Sequence, residues 1–88
     1  MVDLNSIIEH KSAEQFKAKF IGGKSRIDGM TVYPNVMYTL EYRPSIKSGG
    51  WLWFEISRVK QGLFGRKIER GLCPYTSIDT FKPNWELI

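Results

Sequence analysis

Two alternating runs of apolar and polar residues, separated by a glycine-flanked turn, constrain the fold more than any other feature. The first run spans residues 51–60 and the second spans residues 66–73, while Gly62 and Gly65 flank the turn between them. Alternation places every second side chain on the same face of a strand. One face of the first run carries Leu52, Phe54 and Ile56. The segment therefore predicts two long consecutive antiparallel strands joined by a hairpin turn.

Three further strands and two short helices complete the predicted order. The other strands are expected at residues 16–20, 36–43 and 85–88, an amphipathic helix at residues 3–11, and a helical turn between Thr76 and Phe81. Residues 24–35 contain the turn formers Asp28-Gly29 and Pro34-Asn35, which predict a long loop with a brief strand. This order is typical of a mostly β fold, a small five-stranded SH3-like antiparallel barrel with an N-terminal helix. We expect a single domain over residues 1–88, with a helical extension over 1–15 and the barrel over 16–88.

The cysteine content and the first ten residues predict the cellular location of the protein. Cys73 is the only cysteine of the 88 residues, so neither an intramolecular disulfide nor a cysteine zinc site is expected. The first ten residues lack a basic segment and a long apolar run, so we expect no signal peptide and no membrane-spanning helix. These features predict a cytoplasmic protein that is not associated with a membrane.

The residue types that enzymes use are sparse in this chain. His10 is the only histidine, and no serine or cysteine stands in a recognisable catalytic motif with it. Cys73 ends an apolar run, where a buried packing role is expected. The carboxylates show no metal-ligand spacing, and neither Gly22-Gly23 nor Gly49-Gly50 precedes the Lys-Ser or Lys-Thr of a phosphate-binding loop. We expect no enzyme, no cofactor, no metal and no small-molecule substrate.

Trp51 and Trp53 form the first candidate binding surface. Alternation turns both away from Leu52, Phe54 and Ile56, and one small sheet has only one core face. In one interpretation the N-terminal helix covers the tryptophans with Leu4, Ile7 and Ile8. In the other they form an exposed aromatic patch, rimmed by Arg43, Lys47 and Arg58, that binds a partner.

The hairpin turn is the second candidate. Leu63 and Phe64 occupy a position that normally faces water, and cations surround them in the sequence. Phe64 either folds back onto the barrel rim or stays exposed, and the exposed tip would be a cationic wedge able to enter a groove on a protein or between bases. The candidate binding residues of both surfaces are Trp51, Trp53, Arg58, Lys60, Leu63, Phe64, Arg66, Lys67 and Arg70.

Part of the chain resembles a known group of proteins. The matching segments are residues 17–22, Tyr38-Thr39-Leu40, Cys73-Pro74-Tyr75-Thr76-Ser77, Phe81 and Asn84-Trp85-Glu86. They resemble short proteins that phages and prophages encode, which are similar to small SH3-type barrels and are mostly of unknown function. The resemblance covers about residues 17–86 and implies an SH3-like fold.

These observations lead to a predicted function with an alternative. The leading prediction is a non-catalytic protein-binding module, a phage-encoded inhibitor or modulator of a host protein such as a defence nuclease or a transcription component. The alternative is a small β-barrel that binds nucleic acid, which the formal net charge of +4, the basic hairpin and the tryptophans, able to stack on bases, favour. A third prediction, a self-assembling virion component, requires self-association.

Overall fold

Antiparallel β-strands dominate the structure, a computed structural model that describes residues 3–88. In chain order the elements are α1 (Leu4–Glu9), β1 (Gln15–Phe20), β2 (Ser25–Ile27), β3 (Met30–Val32), β4 (Met37–Tyr42), β5 (Leu52–Gly62), β6 (Gly65–Tyr75), α2 (Ile78–Phe81) and β7 (Trp85–Leu87). Short 3₁₀ turns at Ser48–Gly50 and Lys82–Asn84 precede β5 and β7. The mostly β prediction is confirmed, together with the short N-terminal helix.

Side-chain caps fix both α-helices near the predicted positions. Asp3 accepts a hydrogen bond from the backbone N–H of Ser6 at 3.3 Å and so caps α1. Ser77 and Thr80 form a reciprocal capping box at the start of α2. Both helices are short, and in the part of the chain that is described no helix is long and apolar enough to cross a membrane.

Five strands form one antiparallel sheet in the order β6-β5-β4-β1-β7. The loop predicted over residues 24–35 contains two strands, β2 and β3, which pair with each other as a separate ribbon. Within residues 3–88, β6 and β7 are the two edges of the main sheet and do not pair. The sheet is therefore open, and the closed barrel predicted from the sequence is not observed.

The β2–β3 ribbon docks on β6 at Gly71. A Cβ atom at this position would lie 2.7 Å from the carbonyl oxygen of Ile27, so only glycine allows the two backbones to approach this closely. Asp28, in the turn of the ribbon, accepts a hydrogen bond from the backbone N–H of Leu72 at 3.2 Å. The ribbon covers the edge strand at this point and leaves residues 65–70 of β6 exposed or half-buried.

One face of the sheet, the core face, carries Phe54 at its centre. Four aromatic rings surround Phe54 with centroid separations of 4.8 to 6.4 Å: Phe16, Tyr42, Tyr75 and Phe81. Leu4 and Ile7 of α1 are buried in the same apolar core. The N-terminal helix therefore packs on the core face.

The opposite face, the outer face, is polar at its centre. Arg43 lies 2.8 Å from a carboxylate oxygen of Glu55 and 3.1 Å from one of Glu41. Gln15 donates a hydrogen bond to the second oxygen of Glu41 at 3.1 Å. These pairs neutralise part of the acidic charge in the middle of the outer face.

Candidate functional site

The β5–β6 hairpin extends beyond the rest of the sheet. Strand β4 pairs with β5 as far as Thr39 opposite Ser57, whereas β5 and β6 stay paired up to Gly62 opposite Gly65. The molecule measures 41 Å along its long axis and 24 and 23 Å across it. We call residues 58–70 the β-arm. Among residues 3–88 no third strand lies beside its two strands, so the β-arm contributes little to the core.

The tip of the β-arm is apolar and fully exposed. Leu63 and Phe64 form a two-residue turn, and their relative exposures are 99% and 104%. Gly65 follows with φ of 119°, a conformation that favours glycine. Turns of this length favour asparagine, aspartate and glycine, so the turn geometry does not explain Leu63 and Phe64. The interpretation in which Phe64 folds back onto the barrel is wrong, because its side chain is fully exposed in the part of the chain that the structure describes.

The net charge of the protein is concentrated on the β-arm. Residues 58–70 contain five of the thirteen lysines and arginines but only one of the nine acidic residues, Glu69. The remaining chain has eight of each sign, so the formal charge of +4 lies entirely on the β-arm. An elongated apolar-tipped arm with this charge is suited to an anionic surface.

Two lysines of the β-arm stand directly opposite each other. Lys60 and Lys67 are register partners on adjacent strands, an arrangement that destabilises an isolated hairpin because like charges are close. Among residues 3–88, no carboxylate lies within 4.0 Å of the nitrogen atoms of any of the five arm cations. Bound anions would relieve this repulsion.

Val59 and Ile68 form the apolar middle of the β-arm. They are register partners on the outer face and are exposed to 58% and 54%. A cross-strand pair of β-branched residues stabilises a hairpin by roughly 0.2–1 kcal/mol, so this pair holds the two strands of the arm together.

The two predicted surfaces lie at opposite ends of β5. Trp53 and Gly62 are nine residues apart, about 30 Å at the usual rise of a strand. Arg58 belongs to the β-arm end, where its guanidinium carbon lies 6.0 Å from the ring centroid of Tyr38. It therefore does not rim the tryptophan patch as the sequence suggested, and no single compact contact includes both surfaces.

The tryptophans are held by a loop and are not covered by α1. The indole N–H of Trp53 donates a hydrogen bond to the carbonyl oxygen of Ser48 at 3.0 Å, and the two rings lie 6.3 Å apart. Trp51 is 45% exposed, because the residues that α1 buries belong to the core face. The interpretation in which the helix covers this patch is wrong. Trp53 instead anchors the 3₁₀ turn before β5.

Cys73 is half-buried and its thiol is poorly disposed to react. It packs partly against the core as the register partner of Phe54, in agreement with a packing role. Burial raises the pKa of the Cys73 thiol, and a hydrogen bond with Tyr75 offsets this in part. Burial also raises the pKa of the Tyr75 hydroxyl, which accepts a hydrogen bond from the indole N–H of Trp85 at 2.8 Å.

These raised pKa values predict a loss of stability in alkali. The unfolded chain releases the Cys73 proton near the ordinary value of 9.0, while the folded chain retains it, so the folded state binds more protons above that pH. The Cys73 contribution to stability is complete below pH 9 and is lost as the pH rises through the raised value. We expect the difference in unfolding free energy between wild type and Cys73→Ala to shrink as the pH rises from 7 to 10, as measured by urea titration. A constant difference would contradict this assignment.

Comparisons with known proteins gave no match to any protein-family model, curated protein or solved structure. Within residues 3–88, no group of three or more histidine, cysteine or acidic side chains could hold a metal ion. The β-arm, with its fully exposed apolar tip and its concentrated positive charge, is the candidate functional site. The sequence marked its residues, but it did not show that they protrude.

Proposed function

We propose that this protein is a non-catalytic binding module and that it contacts an anionic macromolecule through the β-arm. One observation carries the proposal: the entire net positive charge and a fully exposed apolar tip occupy a hairpin outside the core. A hairpin with exposed apolar residues and opposed lysines is unfavourable in water unless a partner covers it.

Both partner classes predicted from the sequence can present an anionic surface. A host protein with an acidic groove would accept Leu63 and Phe64 in the groove and place its carboxylates beside the arm cations. A nucleic acid would offer phosphates and bases to the same groups. A phage-encoded modulator of a host protein, acting in the host cytoplasm, is one form of this proposal, which the resemblance of residues 17–86 supports.

The fold that would present such an arm is, we propose, SH3-like. Support comes from the strand order, from the ribbon within the long first connection, and from the helical turn before the short last strand β7. In this architecture the β-arm is the extended hairpin that the adjoining ends of β5 and β6 form. Loops and hairpins on rigid scaffolds frequently carry function.

Charge reversal on the β-arm tests the proposal. We expect Lys60→Glu combined with Lys67→Glu to elute from immobilised heparin, a polyanion, at clearly lower salt than wild type, since two cations of the contact become anions. The matched control is Lys24→Glu with Lys82→Glu, which changes the net charge equally at exposed positions elsewhere. Equal elution of the two double variants would show that retention follows net charge, and the proposed role of the arm would be wrong.

A further inference from the structure

We infer that the anionic partner is double-stranded DNA, with the β-arm in the major groove and the neighbouring outer face of the sheet on the phosphate backbone. This inference rests on the proposed function and names the partner of the same site. Cations lie on both faces of the arm, and a row of polar residues continues from the arm onto the sheet.

The arm carries cations on both of its faces. The register places Lys60 and Lys67 together on one face, and Arg66 and Arg70 on the other. A groove of a duplex has two walls, each lined by the phosphates of one strand. The major groove of B-DNA is about 12 Å wide and admits a two-stranded β-ribbon. A groove with two anionic walls meets both faces of the arm, and a DNA duplex offers such a groove at every turn.

A row of polar side chains extends the cationic surface from the arm onto the sheet. Lys17 lies opposite Thr39, Thr39 opposite Ser57, and Ser57 opposite Arg70, so these residues form one line across β1, β4, β5 and β6. We call this line the Lys17–Arg70 row. It has hydroxyl groups at its centre and cations at its ends, over about 14 Å for three strand spacings. Hydroxyl and cationic donors of this kind contact phosphate oxygens.

A groove in the surface runs along three of the four residues of this row, Lys17, Thr39 and Ser57. It has a volume of about 230 Å³, and its lining includes Lys17, Met37, Thr39, Ser57, Arg58 and Val59. Each DNA strand carries a phosphate about every 3.4 Å along the helix axis, so the Lys17–Arg70 row can reach more than one phosphate. The adjacent carboxylates of Glu41 and Glu55 are paired with Arg43, which reduces their repulsion of a backbone at this position.

The apolar tip completes the match to a duplex. Leu63 and Phe64 at the end of an arm inserted between the two backbones would meet the base edges, where apolar side chains contact thymine methyl groups. Single-stranded nucleic acid would instead stack successive bases on exposed aromatic rings. The exposed ring of Trp51 lies beside the other end of β5, far from the cations and the apolar tip of the arm. Duplex RNA has a deep and narrow major groove that the arm does not enter.

Fluorescence anisotropy with a labelled 20-base-pair DNA duplex tests the inference. We expect wild type to bind with an affinity that falls linearly with salt on logarithmic axes. Lys17→Gln lies outside the arm and should reduce the magnitude of that slope by about one, the loss of one phosphate contact. The matched control, Lys24→Gln, replaces another exposed lysine and should leave the slope unchanged. Phe64→Ala should weaken binding several-fold without changing the slope, because it removes no charge.

The outcomes separate this inference from the proposed function. A protein that heparin retains through the β-arm but that does not bind the DNA duplex would keep the proposed function and overturn DNA as the partner. Tighter binding to the single strand, or equal binding to a duplex RNA of the same sequence, would overturn insertion into the major groove. If Lys17→Gln and Lys24→Gln bind the duplex with the same salt dependence, the phosphate backbone of the DNA does not cross the Lys17–Arg70 row. If the Lys60→Glu, Lys67→Glu variant elutes from heparin at the same salt as its matched control, both the proposed function and this inference are wrong.

Discussion

Replacing residues 58–69 with Asn-Gly is expected to abolish polyanion binding and to leave the fold intact. Ser57 and Arg70 are register partners, so a two-residue turn can join them directly. The change removes four of the five arm cations together with Leu63 and Phe64. Because phosphate contacts dominate such affinities, we expect binding to a DNA duplex to weaken by about 100-fold or more.

The same replacement should change the unfolding free energy by no more than about 1 kcal/mol. Outside the arm itself it removes the contact of Arg58 with the ring of Tyr38, and cation–π contacts are worth roughly 0.5–1 kcal/mol at exposed sites. Urea unfolding and circular dichroism measure stability and strand content, and heparin and DNA binding measure function. An arm-less protein that no longer folds would show that the arm belongs to the core. One that folds and still binds would place the binding site elsewhere.

Phe54→Ala is expected to cause the largest loss of stability of any single substitution considered. Phe54 is fully buried and stands among the four aromatic rings of the core face. Truncation of a buried phenylalanine costs about 3–5 kcal/mol through lost burial and the cavity that remains. A small domain has a total stability of about 5 kcal/mol, so much of the variant should be unfolded at 25 °C.

Phe64→Ala is the matched control, because it makes the same chemical change at a fully exposed phenylalanine. We expect its unfolding free energy to stay within about 0.5 kcal/mol of wild type in a urea titration. The milder Phe54→Leu should retain a folded population that can be titrated, with a loss between those of the two alanine variants. Equal stabilities of Phe54→Ala and Phe64→Ala would contradict the assignment of Phe54 to the core.

Strand alternation located the elements and most of the candidate site. The pattern around Phe54 and Ile56 predicted the core face, because a period of two has only one solution once one face is buried. The glycines at 62 and 65 predicted the hairpin and its apolar tip. The register of that hairpin can also be predicted from the sequence, since a turn centred on Leu63 and Phe64 places Lys60 opposite Lys67.

Contacts between segments that are distant in the sequence decided the position of the β2–β3 ribbon and the composition of the Lys17–Arg70 row. The β2–β3 ribbon depends on the approach of Ile27 to Gly71, which lie more than forty positions apart in the chain, and local propensity carries no signal for such a pair. The Lys17–Arg70 row likewise draws its four members from four strands, so it exists only once the sheet order is known.

The sequence by itself determined that the chain is mostly β, that a hairpin joins its two longest strands, and that the net charge of +4 lies on that hairpin. These are properties of alternation, turn residues and composition, which act locally. Only the tertiary structure decided that the hairpin protrudes, because its protrusion depends on where β4 ends beside β5. It also decided that α1 packs on the core face and leaves Trp51 exposed, since an amphipathic helix can cover either face of a sheet.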